Sequence, residues 1–371
     1  MIPNNIKYFF AKLIKVSSCL DSINDNFLDK LLGHHKIIGW WKGHPVYSSF
    51  LVPGLSKPLG NLIAMNLIKN MSGKPIPGIV NIGVTDKCNC RCKHCSFFGA
   101  IDKSENKQVL SKEEMKKVID DCLELGVNVI NFVGGEPLVN RDLPELIEYI
   151  NKNKAVSSIF TNGWFLKEFA KPLKDAGLMQ VNVSIDSIKP EIHNEFRGRE
   201  GLFKKAIEGI KECQKVGLLT CISTTVTQKN LKNGDFEKMI LFAKQMRVNE
   251  LIVLDMMSAG MYSHLYSKKE MVDRDLLFRI VQKYNKRKDF PGIFCYSRIR
   301  DSDLFGCSAG RNYFYISPYG EVNPCDFSCE SVGTILKIPL KVLWDRLVEL
   351  KKKKEYFNPN CANCNLCDSK D

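Results

Sequence analysis

Between residues 78 and 290 short apolar segments alternate with longer amphipathic ones, and no other feature narrows the fold as far. Strand-like runs at 79–84, 127–133, 157–160, 179–185, 218–226 and 250–255 are each followed by a stretch with helical periodicity. The first of these helices opens at Ser111 with Glu114 three residues later, the pattern of a capping box. It carries Met115, Val118, Ile119 and Leu123 on one face and stops at Gly126. The later helices are expected at 142–153, 164–176, 202–216, 235–247 and 273–287. Six such units imply right-handed βαβ crossovers and a parallel sheet. Spacing leaves two α/β architectures open, a partial barrel and an open doubly wound sheet.

The flanks have a different texture. Residues 1–77 combine an amphipathic stretch at 6–16 with loops around Trp40-Trp41 and Pro53 to Pro58, then a second apolar stretch at 62–68. In a helix over 6–16, Ile6, Phe9, Phe10, Leu13, Ile14 and Val16 share one face and Lys7, Lys12 and Lys15 the other. After about 290, β-type segments at 294–296 and 313–316, a Pro318-Tyr319-Gly320 turn and a helix at 339–352 replace the alternation. The chain therefore divides into 1–77, 78–290 and 291–371.

Apolar residues make up 44% and charged residues 26%, which excludes disordered and fibrous classes. Lys and Arg number 54 against 41 acids, a net charge of +13 that suits an anionic partner without choosing one. No nucleic-acid-binding signature accompanies the charge, so no nucleic acid is expected. No run approaches the ~20 apolar residues of a spanning helix. The N-terminus carries no signal-peptide pattern, so a reducing cytoplasmic setting is expected. There the fifteen cysteines are expected to bind metal or react rather than form bridges.

Four of those cysteines fall within eight residues, directly after the first strand, in Cys88-Asn-Cys90-Arg-Cys92-Lys-His-Cys95. In a parallel barrel that position belongs to the active-site loops. Cys88, Cys92 and Cys95 have the spacing C-x3-C-x2-C, and three thiolates can hold three irons of a [4Fe–4S] cubane while the fourth stays open. Zinc competes, but it needs a fourth ligand drafted from Cys90 or His94. The loop favours iron–sulfur, with Cys90 as a non-ligand.

Together with Gly134-Gly135-Glu136-Pro137 after the second strand, this loop resembles the radical S-adenosylmethionine (SAM) superfamily. Ser184-Ile185-Asp186-Ser187 and the segment from His193 through Arg197 to Gly198 extend the resemblance. It implies a partial (βα)6 TIM-like barrel over 78–290. It also implies a cubane held by Cys88, Cys92 and Cys95, whose open iron is chelated by SAM. Gly134, Gly135, Glu136 and Pro137 would then contact the methionine amino group, and Ser184 and Arg197 the ribose and carboxylate. Glycines admit close backbone approach, and a carboxylate suits an ammonium. Read without the family, Ser184 and Arg197 are a helix start and a surface arginine. Thr161-Asn162-Gly163 is similar to another family turn or is simply a turn. His94 departs from the larger aromatic common before the third cysteine, and an imidazole still stacks.

In the tail, Cys307 is followed by Gly320 and Cys325, then Cys329 and Cys361-Ala-Asn-Cys364-Asn-Leu-Cys367. The spacing C-x12-G-x4-C resembles the SPASM/twitch extension, a β-hairpin and helix domain around auxiliary [4Fe–4S] clusters. The single-cluster form fits, with Cys307, Cys325, Cys361 and Cys364 as ligands and Cys329 or Cys367 as substitutes. A structural zinc satisfies the same spacing. Cys19, Cys122, Cys213, Cys221 and Cys295 are scattered and read as small core residues.

The resemblance implies reductive cleavage of SAM to a 5′-deoxyadenosyl radical that takes a hydrogen atom from an unidentified substrate. An electron donor such as flavodoxin or ferredoxin is implied with it. Maturation of a peptide or protein side chain is the favoured reading, and a small-molecule or lipid enzyme the alternative. The amphipathic N-terminal stretch and Trp40-Trp41 suit a lipid substrate and peripheral membrane contact, but the favoured reading of the same residues is an N-terminal helix packed on the barrel exterior. The non-enzymatic reading is a zinc-stabilised binding module. No catalytic acid or base stands out in the sequence.

Overall fold

The computed structural model describes residues 34, 36–97, 107–256, 272–300, 306–328 and 330–352. The expected helix at 6–16 and Cys329, Cys361, Cys364 and Cys367 lie outside the described residues.

The chain enters through a hairpin, β1 (Gly39–Trp41) and β2 (His44–Val46), then helix α1 (Lys57–Ser72). The sequence pattern suggests loops at Trp40-Trp41, but Lys42 and Gly43 both take positive φ and close a two-residue turn. Strands of three residues are too short to show periodicity. Ser56 caps α1 by accepting from the Leu59 amide.

Seven strands then run parallel in chain order: β3 (Ile79–Gly83), β4 (Val129–Val133), β5 (Val156–Thr161), β6 (Gln180–Ser184), β7 (Leu219–Val226), β8 (Glu250–Asp255) and β9 (Gly292–Cys295). The intervening helices are α2 (Lys112–Leu125), α3 (Leu143–Tyr149), α4 (Leu166–Asp175), α5 (Pro190–Arg197), α6 (Leu202–Lys215), α7 (Gln228–Lys232), α8 (Asp235–Gln245) and α9 (Arg274–Asn285). The Ser111–Glu114 capping box forms as the sequence predicts, and Gly126 ends α2 in the left-handed region.

Strand order decides between the two architectures. A doubly wound sheet reverses direction at a switch point, whereas here each strand neighbours the next along the chain. Repeated right-handed crossovers in one direction put the helices on one face and curl the sheet into a partial barrel. Alternation along the strands follows. Val80, Ile82, Ile130, Phe132, Val181 and Val183 belong to the main core with the helices, while Asn81, Asn131 and Ser158 are joined to one another by hydrogen bonds.

The sheet does not stop at residue 290. β9 pairs parallel with β8, and β10 (Tyr313–Ile316) pairs parallel with β3 before turning into antiparallel β11 (Val322–Asn323). A short helix, α10 (Tyr296–Arg300), follows β9, and α11 (Leu340–Lys352) follows the hairpin. Trp344 of α11 packs on Phe314 of β10 at 5.6 Å between ring centroids, and its indole N–H donates to the Pro75 carbonyl at 2.9 Å. The β10–β11 hairpin is thus an extension of the barrel sheet and shares its core.

Candidate active site at the mouth of the barrel

The loop carrying Cys88, Cys90, Cys92 and Cys95 leaves β3 at the carboxyl ends of the strands and is pinned from several sides. The amides of Arg91 and Lys93 donate to the carbonyls of Arg197 and Phe196, at 3.1 and 3.2 Å, at the end of α5. The Arg199 guanidinium donates to the Asn89 carbonyl at 3.0 Å. Gly198 has φ +64, and a Cβ there would lie 2.5 Å from the Arg91 carbonyl oxygen, so only glycine allows this approach. His94 stacks on Phe196 with centroids 4.2 Å apart. Burial and then the Arg197 charge lower its pKa to about 4, leaving it neutral.

Gly134 and Gly135 let the turn approach the cysteine loop itself. A Cβ on Gly135 would meet the Lys87 carbonyl oxygen at 2.2 Å, and one on Gly134 the Thr85 carbonyl oxygen at 2.6 Å. The close approach is to the cysteine loop's own backbone. It is locked there by Gly135 N–H donating to Thr85 O at 2.9 Å and Glu136 N–H to Lys87 O at 2.8 Å.

Glu136 is 1% exposed, and its carboxylate is already occupied. It accepts from the Thr161 hydroxyl at 2.5 Å, the Asn162 amide at 2.7 Å and the Leu138 amide at 3.2 Å. Burial raises its pKa to about 7 against these bonds. Pro137 starts the short 3-10 turn that Glu136 caps. The expectation that Glu136 serves a ligand rather than the packing is therefore incomplete, since its carboxylate also ties the end of β4 to the end of β5. Asn162 carries the connection onward, donating from its side chain to Asn89 at 2.7 Å and to the Cys90 sulfur at 3.3 Å. Cys90 is 4% exposed and Cys88, Cys92 and Cys95 are half-buried, and all four border the cavity.

Arg197 is not a surface arginine. Its Nε donates to Asp186 at 2.6 Å, and the Asp186 side chain is 3% exposed. Burial alone would raise the Asp186 carboxyl, but Arg197 holds it well below the usual carboxylate range. Asp186 also accepts from the Thr225 amide at 2.9 Å, linking β6 to β7. Ser184 sits half-buried at the end of β6 on the cavity wall.

These groups border one cavity of about 670 Å³. Below the cysteine loop its wall includes a hydrogen-bonded polar ladder. Ser158 donates to Asn131 at 2.7 Å, Asn131 to Asn81 at 2.8 Å, and Asn81 to Asp326 at 2.8 Å, with Tyr313 also donating to Asp326. Phe50 and Leu51 from the N-terminal segment contribute an apolar wall, with Phe50 4.6 Å from Phe294 between centroids. Asn162, Asp186, Asp326 and Phe50 were not singled out as site residues from sequence. An asparagine inside an otherwise apolar strand was the available signal for the ladder.

Cys307 and Cys325 are both half-buried, and the register Tyr315↔Asn323 places the residues before β10 and after β11 at one end of the hairpin. Among the described residues, no three His, Cys, Asp or Glu side chains converge on a single-ion site. The donor chemistry at the mouth fits an iron–sulfur cluster: three soft thiols on one loop, in a cavity walled by Arg197 and glycine backbone.

Comparison with known proteins agrees with this geometry. Residues 82–243 match the radical SAM superfamily, and 307–365 match an iron–sulfur cluster-binding domain, SPASM. GTP 3',8-cyclase of Nautilia profundicola is 30% identical over 265 residues, covering 68% of this chain and 81% of that protein. Fe-coproporphyrin III synthase of Methanosarcina barkeri is 28% identical, covering 78% and 80%. For GTP 3',8-cyclase of Peptoclostridium acidaminophilum, 33% identical, the match covers 56% of this chain and 64% of the relative. In fold, the chain is similar to Streptococcus suis SuiB bound to precursor peptide SuiA, with TM-score 0.61, 16% identity and coverage of 82% and 74%. The chain belongs to the radical SAM superfamily: it is an enzyme whose cofactors are SAM and a [4Fe–4S] cluster, with a SPASM domain for an auxiliary iron–sulfur cluster.

Proposed function

We propose that Cys88, Cys92 and Cys95 hold the SAM-binding [4Fe–4S] cluster and that the cavity beneath them receives SAM and a substrate. The observation that carries this reading is the convergence of those cysteines, Gly135, Glu136 and Arg197 on one cavity at the barrel mouth. When bound there, the cluster and SAM would supply radical chemistry for hydrogen abstraction from a substrate carbon. Around them the chain's own groups orient and exclude water. Gly134 and Gly135 hold the cysteine loop against β4, Arg197 presents a positive charge fixed by Asp186, and Ser184 offers a hydroxyl on the wall. Pro137 starts the turn that seats Glu136. The auxiliary cluster is assigned to Cys307, Cys325, Cys361 and Cys364, and a flavodoxin or ferredoxin to electron delivery.

The favoured substrate is a peptide or protein side chain. Its support is the SPASM match together with a fold shared with SuiB, which binds its precursor peptide. The second reading is a small molecule, favoured by sequence relatives that are GTP 3',8-cyclases. Anaerobic assays of 5′-deoxyadenosine formation test both parts. Alanine at Cys88, Cys92 or Cys95 should each abolish it, and retained cleavage would remove the cluster assignment. Adding GTP should leave the rate unchanged, and stimulation by GTP would favour the small-molecule reading.

A further inference from the structure

The end of the barrel opposite the cysteine loop carries a layer that lies before both matched regions. The β1–β2 hairpin and α1 cover the amino ends of the strands. Ile38, Trp41, Val46 and Val52 form one cluster with Val129, Val156, Met179 and Leu219, against which Leu59 and Leu62 of α1 pack. The attachment is specific. Asn249 donates from its side chain to the Ile38 carbonyl at 2.7 Å, and Asn61 to the Lys154 carbonyl at 3.3 Å. The Ser49 amide donates to the buried Glu250 carboxylate at 2.9 Å, and the Ser49 hydroxyl donates to it as well.

With its inner face satisfied in this way, the layer still displays large apolar side chains outward. Five of the ten exposed large hydrophobics among the described residues lie here: Ile37, Trp40, Leu55, Leu67 and Ile68. Leu55 is 86% exposed and Trp40 61%. Trp40 and Trp41 are adjacent in a strand and so point to opposite sides, and the register pairs outward Trp40 with Pro45. Half of the exposed apolar groups in so short a segment is a concentration, not the scatter expected of an ordinary surface.

The surrounding charge is mainly basic. Exposed Lys42, Lys57, Lys154, Lys174, Lys215 and Arg247 lie in this layer or at the helix-to-strand turns around it. Lys42 stands close enough to Lys152 to help lower its pKa, after burial, to about 8. Of the acids at these turns, Asp175 pairs with Lys171, Glu212 with Lys215 and Asp289 with Lys244 and Arg287, and exposed Glu124 and Glu148 leave the balance basic. An exposed tryptophan and aliphatic side chains ringed by lysines match the chemistry of an anionic lipid headgroup region. No helix among the described residues is long and apolar enough to cross a membrane, so the contact would lie on the surface.

We propose that this amino-end face docks the enzyme on an anionic bilayer, with Trp40, Leu55 and Ile68 entering the interface and the lysines contacting headgroups. The cysteine loop, at the opposite end, then faces away from the membrane and remains open to a substrate from the aqueous side. The inference is independent of which substrate that is.

Sedimentation of the full chain with vesicles tests it, using phosphatidylcholine alone and phosphatidylcholine doped with phosphatidylglycerol. Binding is expected to the doped vesicles and should weaken with salt. Lys42→Gln, Lys57→Gln and Lys154→Gln should lower partitioning about fivefold per charge. Trp40→Ala with Leu55→Ser and Ile68→Ser should release the protein while leaving vesicle-free SAM cleavage at the wild-type rate. If the apolar set misfolds, the lysine set carries the test alone. Absence of binding to doped vesicles, or binding untouched by the lysine set, overturns the proposal. So does a stable dimer that the apolar set dissolves, since a second copy would then own this face.

Discussion

Glu136→Ala offers a direct measure of how far the glycine-glycine-glutamate turn is structural. The carboxylate accepts from two backbone amides, Asn162 at 2.7 Å and Leu138 at 3.2 Å, and from the Thr161 hydroxyl at 2.5 Å. Alanine leaves both buried amides without their acceptor at the wall of the cavity. The Thr161 hydroxyl can rotate toward another partner, so its loss is smaller. Each stranded buried amide costs about 1–3 kcal/mol, giving roughly 2–6 kcal/mol in all. Set against a total stability of about 5–15 kcal/mol, that is a large fraction. Denaturant unfolding of wild type and variant under anaerobic conditions should show a lowered midpoint with the slope unchanged. SAM affinity, measured on the surviving folded fraction, should also fall. Thr161→Val separates the two effects, because it removes one partner of the carboxylate and leaves Glu136 in place. A Glu136→Ala variant as stable as wild type but unable to bind SAM would refute the structural role and return the residue to a purely ligand-facing one.

The remaining predictions concern other parts of the molecule. Cys90→Ala should retain SAM cleavage, because its buried sulfur accepts from the Asn162 side chain and it stands outside the C-x3-C-x2-C spacing of Cys88, Cys92 and Cys95; complete loss in this variant alone would reverse the ligand assignment. Glu250, raised by burial from 4.5 to about 7, holds its proton more tightly folded than unfolded, so its stabilising contribution is full below pH 4.5 and lost as pH rises to 7. Glu250→Gln should therefore flatten the decline in unfolding free energy across that window by roughly 3 kcal/mol, and an unaltered pH profile would count against the buried carboxyl. A chain with Cys88, Cys92 and Cys95 all replaced by alanine should keep about four irons if the tail holds a cubane. One equivalent of zinc with negligible iron would remove any redox role there.

What could be read from the sequence was local. Helices with strong periodicity, such as α2 and α6, are found within a residue or two of their expected bounds. The cysteine spacing is readable for the same reason, since all three thiols sit on one loop. Features that depend on pairing between distant segments were not readable. Nothing in residues 313–316 announces that they pair with β3 rather than stand apart, because parallel pairing leaves no mark on the spacing of either strand. The hairpin at Trp40 escaped because three-residue strands show no period. The Gly134-Gly135 pair signals close backbone approach to a ligand, whereas the approach to the cysteine loop depends on how distant segments meet in three dimensions.

The added strand changes how the two cysteine-bearing regions relate. A flexible linker would let the distance between two redox groups vary, and electron transfer would then depend on encounter. Here β10 is hydrogen-bonded directly to β3, and β3 is the strand from which the Cys88–Cys95 loop emerges. Leu110, just before α2, adds a further tie by donating its amide to the Pro318 carbonyl at 2.8 Å. Asp326, one residue beyond Cys325, accepts from Asn81 in the middle of β3, so the cysteine's immediate neighbour is fixed to the same strand. Separating Cys325 from the mouth would require breaking sheet hydrogen bonds and exposing Phe314 and Trp344 together. The offset between the two regions is therefore a property of the sheet, set at folding, and the chain holds it without help from a substrate.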